Sequence, residues 1–486
     1  MRVVIGHGAQ PSFFDVMKPV SKTLLASLLA LSLLSPLAAH AGFAEGTAAY
    51  NKHDYKTALR EWLPLTKRGD AAAQHAVGKL YEKGLGVAKD FKQAVRLYRL
   101  SADQGNGDGQ YRLGLMFEYG NGVTKDYQEA LKWTRLSANQ GNPFGQNSLG
   151  WMYAESHGVD KDYQEAIKWF RLSADQGNAD GQNSMGQMYA EGQGVDKDYQ
   201  EAVKWFRLAA DQGDAYGQGN IGYMYDKGHG VPQDYKEAVR WYRLAADQGD
   251  ADGQRNLGYM YDKGHGVPQD YKEAVKWYRL AAEQGDANAQ SNLGFLYDNG
   301  LGVPQDYAEA AKWYRPAAEQ GDANALNNLG ALYENGQGVA LNRVIAYALY
   351  NLSAANDTFS GNKATKNRES LTSNMAPNEL AAGQALSKEL SKPNNFKALD
   401  QYAAKTNLLP KPTAKGLLSS LDADEEASTD PFPSRPAKQP GVVSCNTRCV
   451  NASCWRTYDN GKKVRFQAKQ VFDPFTSQWK FDSGSC

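Results

Sequence analysis

Apolar and polar positions along this chain repeat with a period of 36 residues. An apolar residue followed by glycine recurs as Val77-Gly78, Leu113-Gly114, Leu149-Gly150, Met185-Gly186, Ile221-Gly222, Leu257-Gly258, Leu293-Gly294 and Leu329-Gly330. Gln212-Gly213, Gln248-Gly249 and Gln284-Gly285 hold the same spacing. So do Trp133, Trp169, Trp205, Trp241, Trp277 and Trp313. A lattice this strict marks an array of stacked supersecondary units.

The unit Asp214–Gly249 predicts two helices. Asp214 N-caps the first, which runs to about Lys227 with Gln218, Ile221, Gly222 and Tyr225 on one face. Gly222 lets a neighbouring helix approach closely. The stretch "GHGVPQDYKEAV" follows, at Gly228–Val239 and again at Gly264–Val275. Gly228 and Gly230 break the first helix because glycine accepts positive φ, and Pro232 stiffens the joint. Asp234 and Glu237 fit a capping box for the second helix. That helix turns Tyr235, Ala238, Val239, Tyr242, Ala245 and Ala246 inward, and Gly249 ends it. One such pair cannot bury its apolar face alone, whereas stacked pairs can.

The helix-and-joint pattern A-x-x-x-L-G-x-x-Y-x-x-G-x-G-V (Ala289–Val303) and D-Y-x-x-A-x-x-W-Y-x-x-A-A-x-x-G (Asp270–Gly285) resembles the Sel1-like repeat, a relative of the tetratricopeptide repeat. The resemblance spans about 70–356. It implies an all-α fold, a right-handed α-solenoid of helix-turn-helix repeats, and an interaction scaffold of a kind often exported by bacteria. Ser156 departs from the pattern at the first joint glycine, and Leu341-Asn342 departs at the last second-helix cap.

The flanks read differently. Lys18, Lys22, the apolar run Leu24–Leu37 and Ala39-His40-Ala41 form an export leader starting at Met17, with cleavage expected after Ala41. This segment is too short for a membrane span, and a periplasmic or secreted protein is expected. Residues 42–69 read as an N-terminal capping half-repeat and 357–406 as C-terminal capping helices. Six prolines in 407–441 mark an extended linker. Residues 442–486 form a small β-rich module with an Asn460-Gly461 hairpin signal. It holds all four cysteines, Cys445, Cys449, Cys454 and Cys486. In an exported chain these are read as disulfide-bonded rather than zinc-binding, with all three connectivities open. Seven Lys/Arg against three Asp make the module basic and make envelope polysaccharide a second candidate partner.

Overall charge is balanced, 54 Lys+Arg against 54 Asp+Glu, which argues against nucleic acid as a partner. No catalytic motif of the common hydrolase, phosphate-loop or zinc-protease types occurs. The histidines His53, His75, His157, His229 and His265 are scattered or lie in joints where other repeats carry leucine, glutamine or asparagine, so no metal or cofactor is expected. The outer face of the first helices varies more. It carries an asparagine ladder (Asn220, Asn256, Asn292, Asn328) beside aromatics (Trp151, Tyr216, Tyr223, Tyr259, Phe295). In tetratricopeptide-like arrays the first helices line the concave groove. Asparagine can donate to and accept from an extended peptide backbone while aromatics take side chains.

The expected function is therefore a non-enzymatic scaffold that binds a protein or peptide in the solenoid groove. An alternative is a cell-envelope or exopolysaccharide-associated regulator anchored by 442–486. A third is β-lactam hydrolysis, as reported for cysteine-rich relatives. Those carry a disulfide in each helix pair. Here no cysteine precedes Cys445, and the S-x-x-K patterns at Ser360–Lys363 and Ser477–Lys480 lack their companion motifs.

Overall fold

The computed structural model describes residues 42–356 and 363–405, together with the backbone of five strands between Cys445 and Asp482. The leader with its cleavage point, the linker 407–441, Cys486 and the remaining side chains of the C-terminal module lie outside the described residues, and with them the expected disulfides.

After α1 (described over 42–51) and α2 (Tyr55–Lys67) come eight helix pairs. The first three are α3 (Ala71–Lys83) with α4 (Phe91–Asp103), α5 (Gly107–Tyr119) with α6 (Tyr127–Asn139), and α7 (Pro143–Glu155) with α8 (Tyr163–Asp175). Then follow α9 (Ala179–Glu191) with α10 (Tyr199–Asp211), α11 (Ala215–Lys227) with α12 (Tyr235–Asp247), and α13 (Ala251–Lys263) with α14 (Tyr271–Glu283). The last two are α15 (Ala287–Asn299) with α16 (Tyr307–Glu319), and α17 (Ala323–Asn335) with α18 (Arg343–Asn356). α19 (Lys363–Thr372), α20 (Pro377–Leu390) and α21 (Lys397–Lys405) close the helical part. The chain divides between Lys161 and Asp162. In the second part, successive first helices touch one another, α9 with α11, α11 with α13 and α15 with α17.

Each helix starts and stops for a local reason. Asp214 accepts the Gly217 N–H at 2.7 Å to begin α11. Gly228 ends it in the left-handed conformation at φ 68°. Gly230 is also left-handed, and a Cβ there would lie 2.2 Å from the Tyr199 carbonyl oxygen of the preceding repeat. That contact is why the joint needs its second glycine. Asp234 then accepts from the N–H groups of Lys236 and Glu237.

The expected reciprocal half of the capping box is not made. The Asp234 N–H already donates to the Tyr225 carbonyl at 3.0 Å. Glu237 is released from the cap and accepts the Trp241 indole N–H at 2.8 Å. The two departures from the pattern are accommodated in place. Ser156 takes the left-handed φ of 62° and donates its hydroxyl to the Val159 carbonyl. Asn342 replaces the capping aspartate and accepts the Ile345 N–H at 3.1 Å.

Between paired helices, Tyr98, Tyr242, Tyr278, Tyr314 and Tyr350 are fully buried. Each of them packs its ring against the repeat glycine of the partner helix, and a Cβ on Gly222 would fall 2.8 Å from Tyr242 Cδ1. A glutamine relay ties the repeats together. Gln248 donates to Gln218 at 2.8 Å, and Gln218 donates to the Ala246 position of the previous repeat, the Ala210 carbonyl, at 3.5 Å. Its effect is to satisfy carbonyls at the helix C-termini, which would otherwise be orphaned.

At the C-terminus, β1 (Cys445–Val450), β2 (Ser453–Tyr458) and β3 (Lys463–Gln467) form an antiparallel sheet in that order. β4 (Lys469–Asp473) and β5 (Gln478–Asp482) pair as a separate antiparallel ribbon.

Candidate functional site

The first helices of the second part present one continuous kind of surface. Tyr216 and Tyr223 on α11, Tyr259 on α13 and Phe295 on α15 are 49%, 44%, 36% and 43% exposed. Large aromatic side chains left this open on three successive first helices are not core residues. The opposite faces of the same helices carry Ile221, Leu257 and Leu293, which are fully buried. The surface is therefore spare after the array has been packed.

The asparagines beside these aromatics are half-buried and differ from one another. Asn220 shares a hydrogen bond with the Tyr216 phenol. Asn256 accepts from Arg255, whose guanidinium pairs with Asp252 at 2.7 Å and with Asp286 at 2.9 Å. Asn328 accepts from Asn327 and donates to the buried Tyr314 phenol. Asn292 is half-buried, flanked in sequence by the buried Ser291 and Leu293. Trp151 is half-buried on α7, in the first part of the chain.

Charge is placed close to the rings. Lys227 pairs with the buried Asp226 at 2.8 Å and holds its ammonium 5.8 Å from the Tyr223 ring. Lys263 does the same with Asp262 and Tyr259, at 2.9 and 5.9 Å. Burial, reinforced by Asp252, raises the Tyr216 phenol above its ordinary pKa, so this phenol stays a neutral hydrogen-bonding group.

The joint histidines, read from sequence as fillers, join this surface. His229 stacks on Tyr199 with ring centroids 4.3 Å apart and meets Tyr223 edge-on at 6.0 Å. His265 stacks on Tyr235 at 4.5 Å and meets Tyr259 at 5.9 Å. A pocket of about 470 Å³ opens at the first of these, reached by Tyr216, Asn220, Tyr223 and His229. Its inner wall includes Ala190 and Phe206. Sequence reasoning missed the wall. The available signal was the loss of both the acid and the phenol (Ala190, Phe206) ahead of a joint histidine; the repeat 143–178 loses the same pair (Ala154, Phe170) but is followed by Gln193 at that joint position. Among the described residues no group of three His, Cys, Asp or Glu could hold a metal ion, and no helix is long and apolar enough to cross a membrane.

The Sel1 repeat family profile matches eight consecutive segments: 71–106, 107–142, 143–178, 179–214, 215–250, 251–286, 287–322 and 323–357. Among solved structures the chain is similar to a protective antigen present in uropathogenic Escherichia coli strains that displays an SLR fold. The identity is 29%, over 83% of this chain and 99% of that one, with a TM-score of 0.36. It is also similar to a Sel1 repeat protein from Oxalobacter formigenes, at 34% identity over 50% of this chain and 96% of that one, with a TM-score of 0.44. Cysteine rich protein B of Helicobacter pylori is 26% identical over 26% of this chain and 92% of its own, with a TM-score of 0.23. No curated protein matches.

Proposed function

Because the chain belongs to the Sel1 repeat family, whose members are generally protein-interaction scaffolds and typically not enzymes, we propose that it is an exported scaffold holding a protein or peptide. The binding face is that of the first helices α11, α13 and α15. One observation carries this reading: Tyr216, Tyr223, Tyr259 and Phe295 recur as half-open aromatics on one face while the opposite face does all the packing. Exposed aromatics ringed by polar groups supply contact area at low entropic cost, and such residues dominate binding energy where they enter a partner. Asn292, Asn256 and Asn220 lie beside them to meet the partner's backbone. Arg255, Lys227 and Lys263 are held in ion pairs, so the face offers rings and amides rather than loose charge.

Export rests on the leader pattern after Met17. The basic module 442–486 gives a second contact, with envelope polysaccharide as its candidate ligand. A shared target engaged by both parts would gain from effective concentration.

The test uses the full chain and a Tyr259→Ala/Phe295→Ala double variant as baits in an envelope extract of the producing organism. A partner held by the native chain should bind the variant at least about 30-fold more weakly, the equivalent of a 2 kcal/mol hot spot, with unchanged circular dichroism. Equal retention by both baits would overturn the reading.

A further inference from the structure

The eight repeats fill the space behind their joints in different ways. In the repeat 71–106, the Glu82 carboxylate accepts the Tyr98 phenol. In the last two repeats Asp298 accepts from Tyr314 at 3.2 Å and Glu334 from Tyr350 at 2.6 Å. In 107–142 the tyrosine is replaced by Thr134, and the acid turns elsewhere. Glu118 lies 3.1 Å from Nδ1 of His157, from the next joint, and the His157 ring stacks on Tyr127 at 4.4 Å.

The repeat 179–214 repeats this last arrangement with one piece missing. Tyr199 and His229 stand 72 residues after Tyr127 and His157 and stack the same way, at 4.3 Å. The position 72 residues after Glu118 is Ala190, and the phenol position is Phe206. His229 Nδ1 is buried and has no hydrogen-bond partner. The pocket of about 470 Å³ lies here, with Ala190, Phe206 and Met224 in its wall and Lys197, Tyr216 and Asn220 also lining it. At the following joint the acid is present. Asp226 precedes His265 by the same 39 residues as Glu118 precedes His157, but it is one methylene shorter and pairs with Lys227, so His265 Nδ1 is also buried without a hydrogen-bond partner. Only at His229, among the described residues, does a joint histidine stand without an acid in that place.

The geometry points to a carboxylate-binding pocket: the side chain of a glutamate in a bound peptide enters behind Ala190 and accepts a hydrogen bond from His229 Nδ1–H, as Glu118 does for His157 within the chain. This rests on the peptide-binding reading above and names what the peptide must carry. The charged ring carries a proton on Nδ1, and the neutral ring donates from there as its Nδ1–H tautomer. Leaving such a buried nitrogen unpaired has a cost that an entering acceptor relieves. The wall of Ala190, Phe206 and Met224 fits the methylenes of the side chain, and the Lys197 ammonium, 4.6 Å from the Tyr199 ring, adds positive potential. Glu191 also lines the pocket and is held by the Gln187 amide at 2.9 Å.

The experiment titrates the full chain, labelled with 15N-histidine, with N-acetyl-glutamate N-methylamide and with its neutral isostere N-acetyl-glutamine N-methylamide. His229→Gln assigns the His229 ring signals. In the native chain those signals should shift saturably with the glutamate probe, and at least tenfold more weakly with the glutamine probe. Ala190→Glu supplies the carboxylate internally, so the signals should begin near the bound position and lose the response at least tenfold. An equal response to both probes, no response, or an undiminished response in Ala190→Glu would overturn the proposal. A stronger response to N-acetyl-alanine, whose carboxylate is terminal, would overturn the side-chain assignment. If Ala190→Glu does not fold, the comparison of the two probes in the native chain still decides. Partner capture separates the two readings. Loss on Tyr259→Ala/Phe295→Ala with full retention on Ala190→Glu keeps the binding face and removes the glutamate pocket.

Discussion

Gly258 shows how tightly single residues are specified. A Cβ there would lie 2.8 Å from Cδ1 of Tyr278, a ring with no exposed surface into which to withdraw. Replacing glycine by alanine in a helix gains about 1 kcal/mol in propensity, but overpacking a close-packed site costs about 1–3 kcal/mol. Gly258→Ala should therefore lower stability by about 1 kcal/mol in urea unfolding, and a rise would mean that the ring can move. The repeating glycine was legible because it never leaves its place in the period. Ala190 and Phe206 were equally visible as letters. Their meaning lay in a contact between Glu118 and His157, 39 residues apart and in different repeats, which no local pattern encodes.

The helix is the scale at which the sequence reading was nearly complete. Caps, joints and inward faces follow from local rules: aspartate before the first turn, glycine where φ is positive, and an apolar residue at every third or fourth place. The exception was the capping box. Whether a glutamate closes it depends on whether the cap N–H is already taken, and here a carbonyl from the preceding helix takes it. In α14 the Asp270 carboxylate accepts from Lys272 and Glu273, while Glu273 accepts from the Trp277 indole. Asp270→Ala should thus cost about 1 kcal/mol. Glu273→Ala should cost less than half of that, and equal losses in chemical denaturation would restore the reciprocal box. The asparagine row gives a similar lesson. Four identical letters at one period were read as one ladder, yet Asn328 donates to a buried phenol and Asn256 accepts from an arginine. What each amide does is set by the neighbour that varies beside it.

Across the molecule, burial makes five phenols a common alkaline limit. Desolvation is the leading cause that raises Tyr98, Tyr242, Tyr278, Tyr314 and Tyr350 above the ordinary tyrosine value. Nearby carboxylates push in the same direction. Their folded-state pKa values thus exceed the unfolded value of about 10. The stability this contributes is complete below pH 10 and is lost as the pH rises toward the folded-state values. Absorbance at 295 nm should show these tyrosines ionising together with the loss of helical circular dichroism. Ionisation of all tyrosines before unfolding would contradict the burial. By itself, the sequence determined the period, the two helices of each repeat, their caps and their inward faces, because each depends on residues within a few positions of one another. Tertiary structure alone decided that joint histidines stack between repeats, that one acid is absent behind His229, and that a pocket opens there. Those facts depend on atoms from neighbouring repeats, and their separation along the chain says nothing about whether they touch.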